Sequence, residues 1–370
     1  MKSLLLSALL VLTVSINSSL GCTTFCLRSK SRVLFGRNYD WNIGDGLIFV
    51  NKRGLAKTSN DDGAPNPAKW ISRYGSVTFN QYGRENPTGG MNEAGLVVEE
   101  LWLDETEYPH DKNLPALDTQ EWIQYELDTS ATVEEAIANA RKVRIDSDVK
   151  VHYLIADRFG NAASIEFLKG SLVAHTGRGL AIQALTNDTY AKSVAYLNNV
   201  KATKATTSGS LDRFYRAALR TQNFDKEQRN DEEAINYAFD ILSNVAQEPG
   251  GTQWTIVYDQ LRRKIYFRTQ QNRQIRTIDT TRFDFACGSE VKLLDANSND
   301  SGDVTDKFVD YTRKANRSLL ERSFNGTYFL KDIPTSIRDL LASYPESFPC
   351  QGIVPTAFSK TRSALYALHL

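Results

Sequence analysis

The residue types with the most chemical potential cluster around Cys22. A short positive region at Lys2 leads into an almost unbroken apolar run from Leu4 to Ile16. Ser19-Leu20-Gly21 then places small residues at the two positions a signal peptidase reads. Cleavage after Gly21 would make Cys22 the first residue, with a thiol and a free α-amine on one side of the same Cα. An α-amine with an ordinary pKa of about 7.7–8.0 is a base near neutral pH. A thiolate is a strong nucleophile. One residue would then hold both halves of a nucleophile–base pair.

Such a pair needs partners, and the following residues offer them. Thr23–Leu27 and Val33–Asn38 are short β-prone runs joined by the polar Arg28–Arg32 turn, a hairpin pattern. Folding the hairpin brings Arg37 and Asp40 back to Cys22. Asp40 can hold the α-amine by a charge-assisted hydrogen bond, and Arg37 can favour the thiolate.

The elements that position these residues alternate in blocks. Strands are predicted at Gly75–Phe79 and Gly95–Leu101, followed by a helix capped by Asp118 that runs to Leu127. A second helix opens at the capping box Thr132-Val133-Glu134-Glu135 and runs to about Val143. Further strands are predicted at Val151–Asp157, Ala162–Phe167, Ser171–His175 and Ala181–Thr186. Helices are predicted at Ala191–Asn198, Asp212–Thr221 and Asp231–Gln247; in the last, Ile235, Ala238, Phe239, Leu242 and Val245 follow a 3.6-residue period. A hairpin at Gln253–Tyr258 and Lys264–Thr269 comes next, with Gln274–Asp279 extending its sheet. The last 70 residues read as a polar loop (Asn297–Asp303), a helix near Asp306–Arg322 and irregular chain. Gly89-Gly90 and Gly250-Gly251 read as turns. Tight hairpins imply mostly antiparallel sheets. Two such sheets between helix layers predict an α+β fold, a four-layer αββα sandwich.

These residues carry a resemblance. Cys22-Thr23-Thr24-Phe25 followed by Arg37-Asn38-Tyr39-Asp40-Trp41 resembles the choloylglycine hydrolase family, the bile-salt hydrolases and penicillin V acylases among the N-terminal-nucleophile hydrolases. Met91-Asn92-Glu93-Ala94-Gly95-Leu96 matches the family's Asn-Glu-x-Gly-Leu stretch, Leu185-Thr186-Asn187 its Thr-Asn motif, and Asp212-Arg213-Phe214 its Arg-Phe motif. The matches run in family order from Cys22 to about Gln270. The resemblance implies hydrolysis of linear, non-peptide amide C–N bonds through a thioester on Cys22, without a cofactor. Arg37 and Asp40 would line the nucleophile, Asn187 would donate to the oxyanion, and Arg213 would support the charge network.

Two features depart from the family pattern. Where many members place an asparagine, this chain has Trp102, a substrate-binding candidate. Asp188-Thr189-Tyr190-Ala191-Lys192 replaces the Ser-Pro-Thr-Phe-Asp run of many members. Some members are tetramers, which leaves a homo-oligomer open; the short segment from Asn187 to Arg213 implies a reduced intersubunit loop.

Composition bounds the alternatives. The chain has 370 residues, a formal net charge of +0, 41% hydrophobic and 24% charged residues, values ordinary for a soluble globular protein. No global field favours nucleic acid or an anionic membrane. Past residue 21, no apolar stretch is long enough to span a bilayer. The expected organisation is a removed signal peptide, 1–21, and one amidase domain, 22–370, with a C-terminal extension from about 297. The expected destination is the periplasm or the exterior, and the expected partner a small N-acyl amide. Four cysteines in an exported chain suggest a bridge between Cys287 and Cys350 if Cys22 stays free. Only four histidines occur and none clusters with a cysteine, so no metal site is expected. The competing reading is a non-catalytic exported or lipid-anchored binding protein on the same fold, with Cys22 lipidated or paired with Cys26.

Overall fold

The computed structural model describes residues 21–60, 66–200, 204–224, 229–247 and 250–351. The expected signal peptide lies outside the described residues apart from Gly21. Strand β1 (Thr23–Arg28) and strand β2 (Val33–Asp40) form the predicted hairpin, with Thr23 opposite Asn38 and Thr24 opposite Arg37. Both strands are buried almost throughout, because they lie near the centre of a seven-stranded sheet. Its order is Ala184–Leu185, β1, β2, Thr252–Asp259, Lys264–Thr269, Arg276–Asp279 and Gly302–Asp303. Only the last pairing is parallel.

A nine-stranded antiparallel sheet forms the second layer. Its order is Ser171–Thr176, Ala162–Leu168, Val151–Ala156, Val97–Trp102, Gly89–Asn92, Ser76–Asn80, β3 (Leu47–Asn51), Lys292–Asp295 and Val309–Asp310. Helices α1 (Thr119–Thr129) and α2 (Val133–Ala140) cover its outer face through Trp122, Ile123, Val133 and Ala136. Helices α3 (Tyr190–Asn199), α4 (Ser210–Thr221) and α5 (Asp231–Asn244) cover the first sheet. The main core joins both sheets, with Phe25, Phe35 and Ile256 from one and Ile48, Phe79 and Leu154 from the other. This is the predicted four-layer αββα sandwich.

Three expectations are corrected. Gly89-Gly90 is not a turn but the start of a strand. A Cβ on Gly89 would run into the Glu99 carboxylate, and one on Gly90 would sit 2.6 Å from the Val77 carbonyl oxygen. The glycines are therefore there for close packing, a strand use of glycine that propensity reads as a break. The helix predicted near Asp306–Arg322 forms later, as α6 (Arg313–Gly326), capped by the Thr312 hydroxyl on the Ala315 N–H. A further helix, α7 (Thr335–Ser343), stands where irregular chain was expected. The predicted Cys287–Cys350 disulfide is present, with Cα atoms 5.5 Å apart. Together with a bridge between Leu55 and Cys350, it ties the end of the described chain to the sandwich.

Candidate active site

Cys22 enters β1 at the end of the first sheet, 6% exposed. Its thiol points at the Asp40 carbonyl, 3.9 Å away. The antiparallel register that sets Thr24 against Arg37 is what returns Asp40 to the nucleophile end of the strand. The Asp40 carboxylate accepts a 2.6 Å hydrogen bond from the Thr252 hydroxyl, across from it on the next strand. Arg37 is buried between the sheets. It pairs with the buried Glu99, donates to the Thr88 carbonyl at 2.6 Å and lies 4.9 Å over the Tyr39 ring. Glu99 is in turn held by the Tyr258 hydroxyl.

Arg213 is the organiser of the second half. It projects from α4 and is fully buried. Nη1 donates to the Cys22 carbonyl at 2.5 Å and to the Thr23 hydroxyl at 2.7 Å; Nη2 donates to Asn187 Oδ1 at 2.7 Å; Nε donates to the Ser208 carbonyl at 2.9 Å. A planar fork can serve several acceptors at once, which a lysine cannot. The bond to Oδ1 also fixes which way the Asn187 amide faces. Its Nδ2 donates to the Trp102 carbonyl at 2.9 Å, and its backbone N–H donates to the Ser210 hydroxyl at 2.9 Å. Gly21 packs directly against this corner: a Cβ there would collide with the Arg213 guanidinium and lie 2.9 Å from Asn187 Oδ1. Before cleavage, Gly21 thus lies against Arg213 and Asn187, with no room for a larger residue.

Burial pushes the Cys22 thiol above its ordinary value. The Arg37 charge opposes this, the Asp40 carboxylate adds to it, and the Asp40 carbonyl and Arg213 oppose it. With its amine locked in a peptide bond, Cys22 is a thiol at neutral pH. Burial also lowers Arg213, while Asp40 and Cys22 act the other way.

Beside Cys22 opens a cavity of about 330 Å³, a size suited to a small organic ligand. Arg37, Tyr39 and Asp40 line it near the nucleophile. Trp41 and Trp102, with ring centroids 6.3 Å apart, form an aromatic wall that Phe329 extends at 6.5 Å from Trp41. The Trp41 N–H donates to Tyr82, whose hydroxyl lies 3.0 Å from the Thr327 hydroxyl. Trp102 thus plays two parts, with its ring in the wall and its carbonyl holding Asn187.

The predicted residues Cys22, Arg37, Asp40, Asn187, Arg213 and Trp102 all lie in this one region. Sequence reasoning missed Glu99 and Glu100, two adjacent carboxyls inside an apolar strand. That placement was the available signal, since charged residues are seldom buried without a purpose. It also missed Phe324, Phe329, Leu330 and Leu341, which reach the cavity from the C-terminal segment. Nothing in their local pattern says where that segment packs.

Comparison with known proteins decides the family. The model of the linear amide C-N hydrolases, choloylglycine hydrolase family, matches residues 22–211 and 206–293. This chain belongs to the choloylglycine hydrolase family. A penicillin V acylase of Pectobacterium atrosepticum is 26% identical over 343 residues, covering 80% of this chain and 90% of that protein. The solved penicillin V acylase of Agrobacterium tumefaciens is 31% identical, with a TM-score of 0.70 over 79% of this chain and 98% of that one. A Clostridium perfringens conjugated bile acid hydrolase mutant shares the fold at a TM-score of 0.62 and 21% identity, over 76% of this chain and 98% of that one. The choloylglycine hydrolase match starts at Cys22 and ends at residue 293, so α6 and α7 lie beyond it. The chain is an enzyme of the linear amide C-N hydrolase family, and a small-molecule amide fits it as substrate. Among the described residues, no helix is long and apolar enough to cross a membrane.

Proposed function

We propose that this protein is an exported amidase whose nucleophile is Cys22, made competent by cleavage after Gly21. The observation that carries the reading is the Arg213 fork, which ties the Cys22 carbonyl and the Asn187 amide together beside a ligand-sized cavity. Cleavage would do three things. It would free the α-amine as a base, place a positive charge beside the thiol, and clear Gly21 from the Arg213–Asn187 corner. The disulfide between Cys287 and Cys350 supports an oxidising destination, the periplasm or the exterior.

The steps follow from these groups. The α-amine takes the thiol proton, and the sulfur attacks the amide carbon of the substrate. The carbonyl oxygen becomes an oxyanion. Asn187 Nδ2 carries two N–H donors; one holds the Trp102 carbonyl and the other serves the oxyanion. When the tetrahedral species collapses, the C–N bond breaks and the α-ammonium returns its proton to the leaving amine. An acyl thioester remains on Cys22. Water, deprotonated by the amine, then releases the acid and restores the thiol. Asp40 would hold the amine through its carboxylate, itself anchored by Thr252.

Intact mass of the exported protein, before and after rapid mixing with an N-acyl amide, tests the reading. A chain that begins at Cys22 with a free thiol, and that transiently gains the acyl mass, supports it. A diacylglyceryl adduct on Cys22, or a different first residue, sinks it in favour of a lipid-anchored or non-catalytic binding protein.

A further inference from the structure

The chemistry of the cavity wall is lopsided. One side is aromatic and aliphatic: Trp41 and Trp102 from the sandwich, Phe329 and Leu341 from the C-terminal segment. The other side carries carboxyls. Glu100 follows Glu99 in the same strand, so their side chains leave on opposite faces. Glu99 points between the sheets to Arg37, and Glu100 points toward the first turn of α1. There the Gln120 side chain hydrogen-bonds to it and the Asp118 charge acts on it; Glu121 and Asp146, the latter paired with Arg144, also line the cavity. The Asp118 and Glu121 carboxylates already bind the Gln120 and Asn60 backbone N–H groups, so the α1 N-terminus is closed by its own cap. Among the described residues lining the cavity, the one cationic side chain is Arg37, and its charge is matched by Glu99.

We propose that this cavity selects uncharged amides over those bearing a carboxylate or sulfonate on the half of the substrate that enters it. An anionic group would lose its water against an aromatic wall and meet carboxyls, while the two cations of the mature site, Arg37 and the freed Cys22 amine, already face Glu99 and Asp40. A neutral group with a carbonyl or ether oxygen would find a hydrogen-bond donor. Enclosure pushes Glu100 up to about 8, so at neutral pH it carries its proton and can donate. The charged and titratable groups around it are Arg37 and Tyr39 from β2, Tyr82, Tyr108, Asp118 at the α1 cap, and Tyr153 from the neighbouring strand. Arg37 draws Glu100 down and Asp118 pushes it up, both less than enclosure does. As pH rises through about 8, Glu100 loses its proton, so rejection of anions sharpens on the alkaline side.

The inference rests on the amidase reading, and the test separates the two. The probes are two matched pairs of phenylacetyl 4-nitroanilides. One pair carries a 3-carboxylate or a 3-carboxamide on the anilide ring. The other carries a 4-carboxylate or a 4-carboxamide on the phenyl ring. Release of the nitroaniline by the mature protein gives kcat/KM, and calorimetry with Cys22→Ala gives Kd without turnover. In at least one pair the carboxylate should lose about tenfold or more in both quantities, since like-charge contacts are strongly unfavourable in enclosed sites. The ratio should widen between pH 7 and pH 9, and Glu100→Gln should flatten that widening. Carboxylates that bind as tightly as carboxamides in both pairs overturn the inference, and so does a ratio that stays flat with pH in the native protein. A clear Kd contrast without any turnover leaves the selectivity standing and overturns the amidase reading instead.

Discussion

Cys22, the residue just before β1, and Cys26, within it, lie four positions apart, both buried and both free thiols. Their surroundings separate them. Burial raises both thiols, but Cys22 has Arg37 and Arg213 opposing that rise, and a cavity at its side. For Cys26 the only further influence is the Asp157 carboxylate, which pushes it higher still. Cys26 packs in the core with Phe25 and Leu27. The start of one strand thus holds a thiol placed for chemistry and, two repeats of the pleat along, a thiol that acts as a small apolar side chain. Burial is common to both; opposing charge and access to a ligand distinguish them.

The comparison breaks most sharply at the nucleophile. Cys22→Ser should reduce amide hydrolysis to background while circular dichroism and thermal unfolding stay close to native. Substantial residual turnover would remove Cys22 from the nucleophile role. Next in size is the charge that faces it. Arg37→Ala leaves Glu99 buried without its partner, and losing one member of a buried pair costs about 3–5 kcal/mol. Urea denaturation should show that loss, and Arg37→Lys should recover part of it. A loss under about 1 kcal/mol would mean that the pair carries little of the stability.

Asn187→Ala should lower kcat by roughly 10²–10³ with little change in KM, the usual cost of removing one oxyanion donor. An effect confined to KM would reassign Asn187 to substrate binding. Alkylation by iodoacetamide sharpens the contrast directly. In the uncut chain the Cys22 thiol is raised, so its thiolate fraction and its labelling rate should still be climbing above pH 9. In the mature chain the adjacent ammonium should move that rise to lower pH. Cys26 should resist labelling in both until the protein unfolds. The smallest expected effect is Cys26→Ala, about 1 kcal/mol of stability for one buried atom and its small void, with kcat unchanged. A tenfold loss of activity in that variant would end the distinction between the two thiols.

The nucleophile half of the site was legible because it is built from local signals, while Asn187, Arg213 and Trp102 stood out only through the family resemblance. The β1–β2 hairpin needs only alternation and a polar turn, and its register alone brings Arg37 and Asp40 toward Cys22. Asp118 and Thr132 announce their helices by side-chain caps. Gly89 and Gly90 misled because their reason lies across the sheet, in the Glu99 carboxylate and the Val77 carbonyl. The start of α6 slipped for a related reason: several polar residues before Arg313 can cap a helix, and packing of Leu319 and Leu320 chose among them.

By itself, the sequence determined the nucleophile candidate with Arg37 and Asp40 beside it, and the fold class, because these rest on chemistry or period within short stretches; the resemblance to the choloylglycine hydrolase family added Asn187, Arg213 and Trp102 as candidates. Tertiary structure decided the rest. It chose Glu99 as the partner of Arg37 and aimed the Asn187 amide through Arg213. It also folded the segment beyond the family match into the wall of the cavity. These are contacts between residues tens to hundreds of positions apart. Their energies depend on distance and enclosure, and a linear sequence specifies neither until the sheets have paired.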